Sequence, residues 1–230
     1  IEFADVSVFA FDKKHTALYK LVKEKVPSIK LFISLDNESE SDDVINFSEI
    51  MEKYEGEYNG SPDPDKVCAI VFTSGTTGFP KGVMSSHRNF VYSAGSVHVA
   101  CPTTRMLCCL PIHHSFCFTG NITKSIVKGK TVCVNDNLAN LIQDLQLYKP
   151  DSILAVPQLV KKIMGGAIKY AASKPQMNQT DAIQEFLGGN IIDIISGGAP
   201  LDAALNERFN STGILVLNGY GMTECSPIIS

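Results

Sequence analysis

The stretch that decides the fold of this 230-residue chain is VFTSGTTGFPKGVM, at residues 71–84. An apolar run ends at Thr73, and a segment rich in glycine and hydroxyl side chains follows it up to Pro80 and Lys81. Glycines let backbone N–H groups turn toward an anion, hydroxyl groups donate further hydrogen bonds, and the ammonium adds a positive charge. The stretch therefore predicts a buried strand that opens into a phosphate-binding loop.

The spacing of this loop does not fit the nucleotide P-loop, which requires G-x-x-x-x-G-K-[ST]. The fifth residue after Gly75 is Pro80 rather than glycine, and the residue after Lys81 is Gly82 rather than Ser or Thr. A Gly/Ser/Thr cluster alone is more often a flexible surface turn. The preceding strand and the following Pro-Lys-Gly favour a phosphate loop of another kind, and its glycines predict that it is mobile.

Composition excludes several classes of protein. Apolar residues make up 44% of the chain and charged residues 19%, which is typical of a globular protein. The net charge of −4 gives no general attraction to nucleic acid or anionic membranes, and no apolar run approaches the roughly 20 residues that span a bilayer. Seven cysteines without C-x-x-C spacing argue against zinc and a disulfide framework, and predict an intracellular protein.

Strand and helix patterns alternate along the chain. Strands are predicted at 6–11, 29–35, 67–73, 105–110, 130–135, 152–156, 191–195 and 214–217, and helices at 13–26, 47–54, 88–100, 114–127, 138–148, 158–172, 182–187 and 202–209. This alternation predicts an α/β fold with mostly parallel sheets flanked by helices. A connector rich in Gly, Pro and Asp separates an N-terminal α/β part, residues 1–66, from a core at 67–230, and we expect both to belong to one large domain.

Four predicted strands end in unusual loops. These loops read TSGTTG after the strand at 67, PIHHSF after the strand at 105, SGGAP after the strand at 191 and NGYGMTE after the strand at 214. In open parallel sheets, ligands bind at the carboxyl ends of the strands. If the four strands are parallel, their loops converge on one rim, and we expect them to form a single site.

These four segments, in this order, resemble the adenylate-forming (AMP-binding) superfamily of acyl-CoA synthetases, coumarate–CoA ligases, luciferases and peptide-synthetase adenylation domains. FTSGTTGFPKGVMSSHRN at 72–89 resembles the phosphate loop of that family, and LPIHHSF at 110–116 its acyl-pocket motif. ISGGAPL at 195–201 and NGYGMTE at 218–224 resemble its adenine and α-phosphate segments. The resemblance covers the chain from about residue 67 onward, whereas the first 66 residues match only in their α/β character.

The resemblance implies a role for each matching residue. The β- and γ-phosphates of ATP would be held by Thr73, Ser74, Gly75, Thr76, Thr77, Gly78 and Lys81. The adenine side would be formed by Gly198, Ala199, Pro200, Asn218, Gly219, Tyr220 and Gly221. The acyl tunnel would be lined by His114, Phe116, Gly197, Gly198, Gly221 and Met222. His114 would also sit beside the substrate carboxylate, Thr223 would bond to the α-phosphate, and Glu224 would bind Mg²⁺.

The implied function is that of an ATP-dependent carboxylic acid–CoA ligase, located in the cytoplasm or the peroxisome. Its small-molecule partners would be a carboxylic acid, ATP with Mg²⁺, and coenzyme A, with AMP and pyrophosphate as products. One alternative is a luciferase-like monooxygenase that acts through an adenylate, and another is a non-catalytic module that binds ATP or AMP. Neither the acid, fatty or aromatic, nor the oligomeric state follows from the sequence.

Considered one at a time, without the order of the four motifs, the same residues have ordinary structural explanations. The adjacent pair His113 and His114 is a poor metal site because neighbouring side chains point apart. Tyr220 alone would more often be a core aromatic residue, and Glu224 alone a solvated carboxylate. The segment 197–200 alone would be a plain turn between a strand and a helix capped near Asp202.

The chain begins with Ile1 and ends six residues after Glu224. The resemblance implies a later ribose-binding Asp, a hinge and a mobile C-terminal domain that bears a catalytic Lys, and all of these lie outside the 230 residues. We therefore expect a piece of a longer ligase. Alone, it should bind nucleotide weakly and show negligible adenylation in a pyrophosphate-exchange assay.

Overall fold

The computed structural model describes residues 1–37, 41–54, 56–57, 59–74, 78–96 and 102–230. The described residues therefore do not include Gly75, Thr76 and Thr77 of the predicted phosphate loop. The mobility predicted for this loop stays a prediction. The chain forms two compact units, Ile1–Pro62 and Asp63–Ser230. The expectation that both belong to one large domain stays a prediction.

The first unit is a parallel sheet with an aromatic core. Its elements are β1 (Val8–Phe11), α1 (Thr16–Lys25), β2 (Leu31–Ser34), β3 (Val44–Asn46) and α2 (Phe47–Lys53), and the sheet order is β1-β2-β3. Tyr19 and Val22, three residues apart on one face of α1, are both buried. The Tyr19 ring stacks on Phe11 with 4.6 Å between centroids and meets Phe32 edge-on at 5.1 Å. These contacts join the helix to the sheet.

The second unit is built around a five-stranded parallel sheet. Its strands are β6 (Arg105–Cys108), β7 (Thr131–Val134), β8 (Ser152–Ala155), β9 (Asp193–Ser196) and β10 (Leu215–Asn218), in the order β10-β9-β8-β6-β7. Its helices include α3 (His87–Ser96), α6 (Leu141–Tyr148), α7 (Pro157–Ala172), α8 (Gln179–Phe186) and α9 (Ala203–Asn210). The main core forms where α6, α7, α8 and α9 pack on the sheet, around side chains such as Leu107, Ile153 and Ile194. The predicted α/β class with a parallel sheet flanked by helices is confirmed.

The strand of the opening stretch differs from its prediction. β4 (Val67–Thr73) pairs in antiparallel fashion with β5 (Lys81–Ser86) in a two-stranded sheet. Ile70 is 42% exposed and Phe72 44% exposed, so the prediction of a buried strand is wrong. The reason is that β4 is paired only with β5 and is not flanked by strands of the parallel sheet. The TSGTTG loop is therefore a hairpin loop, and it does not leave the carboxyl edge of the parallel sheet as predicted.

The helix predicted at 114–127 is a succession of three short pieces. Ser115–Cys117 (α4) and Lys124–Lys128 (α5) are α-helical, and Phe118–Thr123 between them is a π-helix. The Lys124 N–H donates a π-type hydrogen bond to the carbonyl of Thr119, five residues earlier. The wider turn keeps side chains four residues apart on one face. π-Helical turns occur frequently at functional sites.

None of the helices in the described part of the chain has the length and apolar character that a bilayer crossing requires. The described cysteines are all free thiols, of which Cys68 and Cys225 are exposed and Cys108, Cys109, Cys117 and Cys133 are buried. Burial raises the pKa of Cys109 to about 12. Cys101 lies outside the described residues.

This burial predicts two classes of thiol. In a Cys101→Ser background at pH 8, Cys68 and Cys225 should react rapidly with an aromatic disulfide reagent. The buried thiols should react only after unfolding, because reaction needs both access and the thiolate form. The absorbance of the aromatic thiolate that the reagent releases, followed over time without and with denaturant, measures how many thiols react. Fast release from four or more thiols in the folded chain would contradict the packing of the sheet.

Candidate functional site

A cavity of about 580 Å³ opens at the carboxyl edge of the parallel sheet. Its walls come from the segment after β6, from the ends of β8 and β9, and from β10 with the residues that follow it. The volume lies within the range of about 300–1,000 Å³ that is typical of small-molecule sites. The cavity is therefore large enough for a nucleotide or an acyl group.

Sheet topology explains why the cavity lies there. The chain runs from β6 to β7 on one side, and β8 then pairs with β6 on the opposite side. The carboxyl ends of β6 and β8 thus flank a topological switch point, where the loops diverge and leave a crevice. Three of the four predicted loops meet there, after β6, β9 and β10, as the parallel sheet requires.

The segment after β10 folds back on itself to form one wall of the cavity. The Tyr220 N–H donates to the carbonyl of Ser230 at 2.7 Å, and the Met222 N–H donates to the carbonyl of Pro227 at 2.8 Å. Gly221 lies between these two bonds and bridges to Ile228. A side chain at Gly221 would meet the Pro227 carbonyl oxygen at 2.1 Å, so this close approach requires glycine. Hence this wall depends on Gly221.

Tyr220 offers a flat surface at the cavity wall. The residue is 64% exposed although its backbone is fixed by the reversal just described. An exposed aromatic ring on a held backbone can stack on a planar base. Asn218, the last residue of β10, lines the same wall and carries an amide that can donate and accept hydrogen bonds.

Two hydroxyl groups join the loops after β6 and β10. The Ser115 Oγ lies 3.1 Å from the Thr223 Oγ1, and both residues line the cavity. Ser115 is 4% exposed and begins α4, so it holds Thr223 against a fixed helix. Each hydroxyl can rotate to donate a hydrogen bond to an anion. Sequence reasoning singled out Thr223 but missed Ser115, although Ser115 directly follows His114.

His114 lines the cavity at the start of α4. Its Nδ1 accepts a hydrogen bond from the Phe116 N–H at 3.2 Å, which places the proton of the neutral ring on Nε2. The ring therefore has a fixed orientation and presents an N–H donor. His113 is exposed and is not part of the cavity wall.

The structure brings together part of the predicted set. The cavity wall includes His114, Gly198, Asn218, Gly219, Tyr220, Gly221 and Thr223. Phe116 and Met222 of the predicted tunnel also line it. Gly197 does not; it is buried against the Phe116 ring, which a Cβ at Gly197 would meet at 2.6 Å. Ala199 and Pro200, on the turn before α9, are exposed outside the wall.

The described residues of the hairpin loop do not line this cavity, namely Thr73, Ser74, Gly78 and Lys81. Lys81 is exposed at the start of β5, where it pairs with Thr73. The hairpin is nevertheless tied to the cavity wall, because the Ser85 Oγ lies 3.3 Å from the Ser226 Oγ. The phosphate-binding role of the loop stays a prediction.

Glu224 faces a second, smaller cavity. This cavity of about 270 Å³ lies between α3 and the segment from Glu224 to Ile228, next to Arg88. In the ranges that the structure describes, His, Cys, Asp and Glu side chains do not form a cluster of three or more that could hold a metal ion. The Glu224 carboxylate is exposed, so it fits Mg²⁺ as a single protein ligand alongside phosphate oxygens and water.

Lys124 is a cavity residue that sequence reasoning missed. It is 5% exposed and lines the larger cavity together with Phe116 and Gly120. The three residues are spaced by four along the helical segment, a pattern that places them on one face. This spacing from Phe116, a residue of the predicted tunnel, is the sequence signal that could have identified Lys124 as a cavity residue.

Comparison with known proteins identifies what this arrangement is similar to. A family model described as "AMP-binding enzyme" matches residues 2–230. The chain is 30% identical over 169 residues to 4-coumarate–CoA ligase-like 2 of Arabidopsis thaliana, covering 71% of this chain and 28% of that protein. It is 27% identical over 207 residues to long-chain-fatty-acid–CoA ligase FadD15 of Mycobacterium bovis, covering 72% and 34%. It is 29% identical over 174 residues to luciferin 4-monooxygenase of Photuris pensylvanica, covering 72% and 29%.

A solved structure agrees in fold. A long-chain-fatty-acid–CoA ligase from Archaeoglobus fulgidus superposes with a TM-score of 0.74 over 99% of this chain and 45% of its own, at 23% identity. At that identity the likeness concerns the fold alone. The chain spans about a third of the length of the curated relatives named above, since it covers 28% to 34% of each.

Proposed function

Because the chain belongs to the AMP-binding enzyme family, we propose that the protein is an ATP-dependent carboxylic acid–CoA ligase. The observation that carries the proposal is the Ser115–Thr223 hydroxyl pair, at 3.1 Å, in a cavity of about 580 Å³ with an aromatic wall. Such a pair suits an α-phosphate, and Tyr220 suits an adenine base. Similarity to coumarate and fatty-acid CoA ligases supports the same reaction class.

The first half-reaction joins two anions. A carboxylate oxygen of the acid attacks the α-phosphorus of ATP, the bond from that phosphorus to the bridging oxygen breaks, and pyrophosphate leaves. Charge builds up on the α-phosphate oxygens, where fixed hydrogen-bond donors stabilise it. Because one hydroxyl of the Ser115–Thr223 pair donates to the other, the pair offers one free O–H to the α-phosphate, and the His114 Nε2–H is a second donor, toward the carboxylate. The buried Ser115 keeps these donors in place before the substrate arrives.

The remaining charge lies on the β- and γ-phosphates. We assign the binding of these two phosphates to the hairpin loop, with the Lys81 ammonium and the hydroxyls of Thr73 and Ser74 as donors. In this proposal, further donors would be the backbone N–H groups of Gly75, Thr76, Thr77 and Gly78. Mg²⁺, when bound, would neutralise part of the phosphate charge. Glu224 is the carboxylate that would hold it.

The second half-reaction forms the thioester. The thiol of coenzyme A loses its proton to solvent and its sulfur attacks the carbonyl carbon of the acyl-adenylate, after which the bond from that carbon to the phosphate oxygen breaks and AMP leaves. In this step the free O–H of the Ser115–Thr223 pair stabilises the departing phosphate. Coenzyme A, ATP and the acid are thus the proposed small-molecule partners.

Product analysis tests the proposal. The complete gene product is incubated with ATP, Mg²⁺, a panel of carboxylic acids and coenzyme A, and the products are separated by chromatography. We expect AMP, pyrophosphate and an acyl-CoA, all dependent on the acid. Formation of ADP and phosphate would contradict adenylation, and so would nucleotide binding without acid-dependent products, as expected of a non-catalytic module.

A luciferase-like monooxygenase is the second candidate, supported by 29% identity to luciferin 4-monooxygenase. Such an enzyme shares the adenylation half-reaction and then oxidises the acyl group with dioxygen. Oxygen uptake and light emission with luciferin, ATP and Mg²⁺ distinguish the two candidates. The ligase proposal expects neither, and instead expects acyl-CoA.

Thr223→Val should slow adenylation without unfolding the protein. Valine keeps the shape of threonine but removes the hydroxyl that is 3.1 Å from Ser115. Loss of one hydrogen bond to a charged group lowers acid-dependent pyrophosphate exchange by about 10- to 100-fold. Thr131→Val is the matched control, since Thr131 is exposed at the amino end of β7, and it should change exchange less than about twofold. Unchanged exchange in Thr223→Val would remove Thr223 from the proposed site.

A further inference from the structure

One face of the parallel sheet supplies an apolar surface to the larger cavity. Leu154 of β8 is the register partner of Ile195 of β9, and Ile195 is the register partner of Leu217 of β10. Register partners on neighbouring parallel strands present their side chains on the same face, and all three residues line the cavity. They therefore form a row across three strands that is about 10 Å wide, at about 4.8 Å between strands.

The edge strand β10 extends this row along its own direction. Leu215 lies two residues before Leu217, on the same face, and also lines the cavity. Val216 between them faces the other side of the sheet, where it is buried in the main core. We call Leu154, Ile195, Leu215 and Leu217 the aliphatic floor, because their side chains carry no polar atom.

The helical segment 115–128 covers the aliphatic floor only at one end. Gly120 approaches Leu154 so closely that a Cβ on the glycine would lie 3.2 Å from the leucine side chain, and Leu154 is 1% exposed. Ile195 and Leu217 are half-buried, and Leu215 is 40% exposed. Exposure of the floor thus increases from β8 to β10, and the accessible aliphatic surface lies inside the cavity.

The aliphatic floor begins beside the proposed reacting end. Asn218 directly follows Leu217, and the Ser115–Thr223 hydroxyl pair lines the same cavity. An acid whose carboxylate lies at this pair can therefore extend its chain first over Leu217 and then over Leu215. Each methylene group that covers the floor removes apolar surface from water, which favours binding.

A polar substituent on that chain would find no hydrogen-bond partner on the floor. A hydroxyl group there loses its bonds to water without replacement, which is unfavourable. Lys124, a charged residue that lines the same cavity, already has an interaction partner in the structure. The lining therefore favours a hydrocarbon chain over a hydroxylated aromatic ring.

We propose that the aliphatic floor binds the hydrocarbon chain of an unsubstituted aliphatic monocarboxylic acid, with Leu217 and Leu215 as the residues that determine the selected chain length. This inference rests on the proposed adenylation function and names its substrate class. Leu217 meets the part of the chain near the carboxylate, and Leu215 meets the part beyond it.

Acid-dependent pyrophosphate exchange by the complete gene product tests the proposal. The panel contains unbranched saturated monoacids that lengthen by single methylene groups from acetic acid, together with cinnamic acid and para-hydroxycinnamic acid. We expect kcat/KM to rise about fourfold per added methylene until the chain covers the floor, and then to level off. The para-hydroxy acid should have a kcat/KM about 10- to 100-fold below that of cinnamic acid.

Two variants separate the near and far parts of the floor. Leu217→Ala should lower kcat/KM about 10-fold for every acid longer than the shortest members of the panel, because less apolar surface meets the chain. Leu215→Ala should have the same effect only on longer acids, whose chains reach residue 215. Leu147→Ala is the matched control, since Leu147 is 71% exposed on α6 and outside the cavity wall, and it should leave the profile unchanged.

The outcomes separate this inference from the function it rests on. A wild-type profile that does not rise with chain length, or an equal loss at every chain length in both variants, overturns the role of the aliphatic floor and leaves adenylation standing. A higher kcat/KM for para-hydroxycinnamic acid than for every aliphatic acid does the same. Absence of exchange with every acid overturns the proposed function itself. The wild-type profile needs no variant, so variants that failed to fold would still leave the inference open to refutation.

Discussion

Gly221→Ala should lower both the stability of the protein and its adenylation activity, because no Cβ can be accommodated at this position. The Cβ would lie 2.1 Å from the Pro227 carbonyl oxygen and 3.0 Å from its carbon. The obstructing atoms are backbone, so the two arms of the reversal must separate. Separation breaks the 2.8 Å hydrogen bond from the Met222 N–H and moves the adjacent Thr223 away from Ser115.

The expected loss of stability follows from overpacking at residue 221, and the expected loss of activity follows from the displacement of Thr223. Forcing an atom into a packed site costs about 1–3 kcal/mol, and we expect the upper end because a backbone carbonyl cannot rotate away. A displacement of about 1 Å at a reacting group can cost about 10²-fold in rate, so exchange should fall by at least that factor. Urea unfolding measures the first effect and pyrophosphate exchange the second.

Gly219→Ala is the matched control for stability. Gly219 belongs to the same segment, but a Cβ there would meet its nearest atoms only at 3.7 Å, an ordinary van der Waals contact. The unfolding free energy should therefore change by less than about 1 kcal/mol. Equal destabilisation by the two substitutions would contradict the fold-back of residues 220–230.

Gly188→Ala should strongly destabilise the second unit. Gly188 follows α8 with φ +91°, and its Cβ would lie 2.2 Å from the carbonyl oxygen of Leu145 in α6. Left-handed backbone costs a non-glycine residue about 1–2 kcal/mol, and overpacking against α6 adds about 1–3 kcal/mol. We expect a total loss of about 4 kcal/mol in the free energy of unfolding.

Gly189→Ala separates the two contributions. Gly189 also has a positive φ, +86°, but a Cβ there meets nothing within 4 Å. Only the conformational cost of about 1–2 kcal/mol should remain. Denaturant unfolding of both variants measures the difference. If both substitutions cost the same, the close approach of α8 to α6 at Leu145 is not present in solution.

From β7 to β10 the strands and helices follow the predicted order, because the signals there are local, whereas β3 (Val44–Asn46) was not predicted. Pro157 begins α7 and Asp202 caps α9 through the Leu205 N–H, and each boundary is visible in the sequence. Parallel pairing followed from the alternation itself. The three loops after β6, β9 and β10 therefore met at one edge as expected.

The error at β4 has a physical origin. The run from Val67 to Phe72 is apolar, and an apolar run does not specify which strands will pair with it. Pairing with β5 alone leaves Ile70 and Phe72 partly exposed. The Ser85–Ser226 contact links this two-stranded sheet to the segment that follows β10.

Ser115, Lys124 and Gly221 illustrate what a sequence pattern leaves out. The role of Ser115 depends on a partner 108 residues away, and that of Gly221 on the carbonyl of Pro227. Lys124 is notable because it is buried, and burial depends on the packing of the whole segment. Such properties arise from tertiary contacts.

The most direct test of the central claim is the crystal structure of the complete gene product with a non-hydrolysable acyl-sulfamoyl adenosine. We predict that its adenine lies against Tyr220 and Asn218, and that its sulfamate accepts a hydrogen bond from the Ser115–Thr223 hydroxyl pair in the cavity of about 580 Å³. Adenosine bound in the cavity of about 270 Å³ beside Arg88, or outside both cavities, would contradict the proposed site.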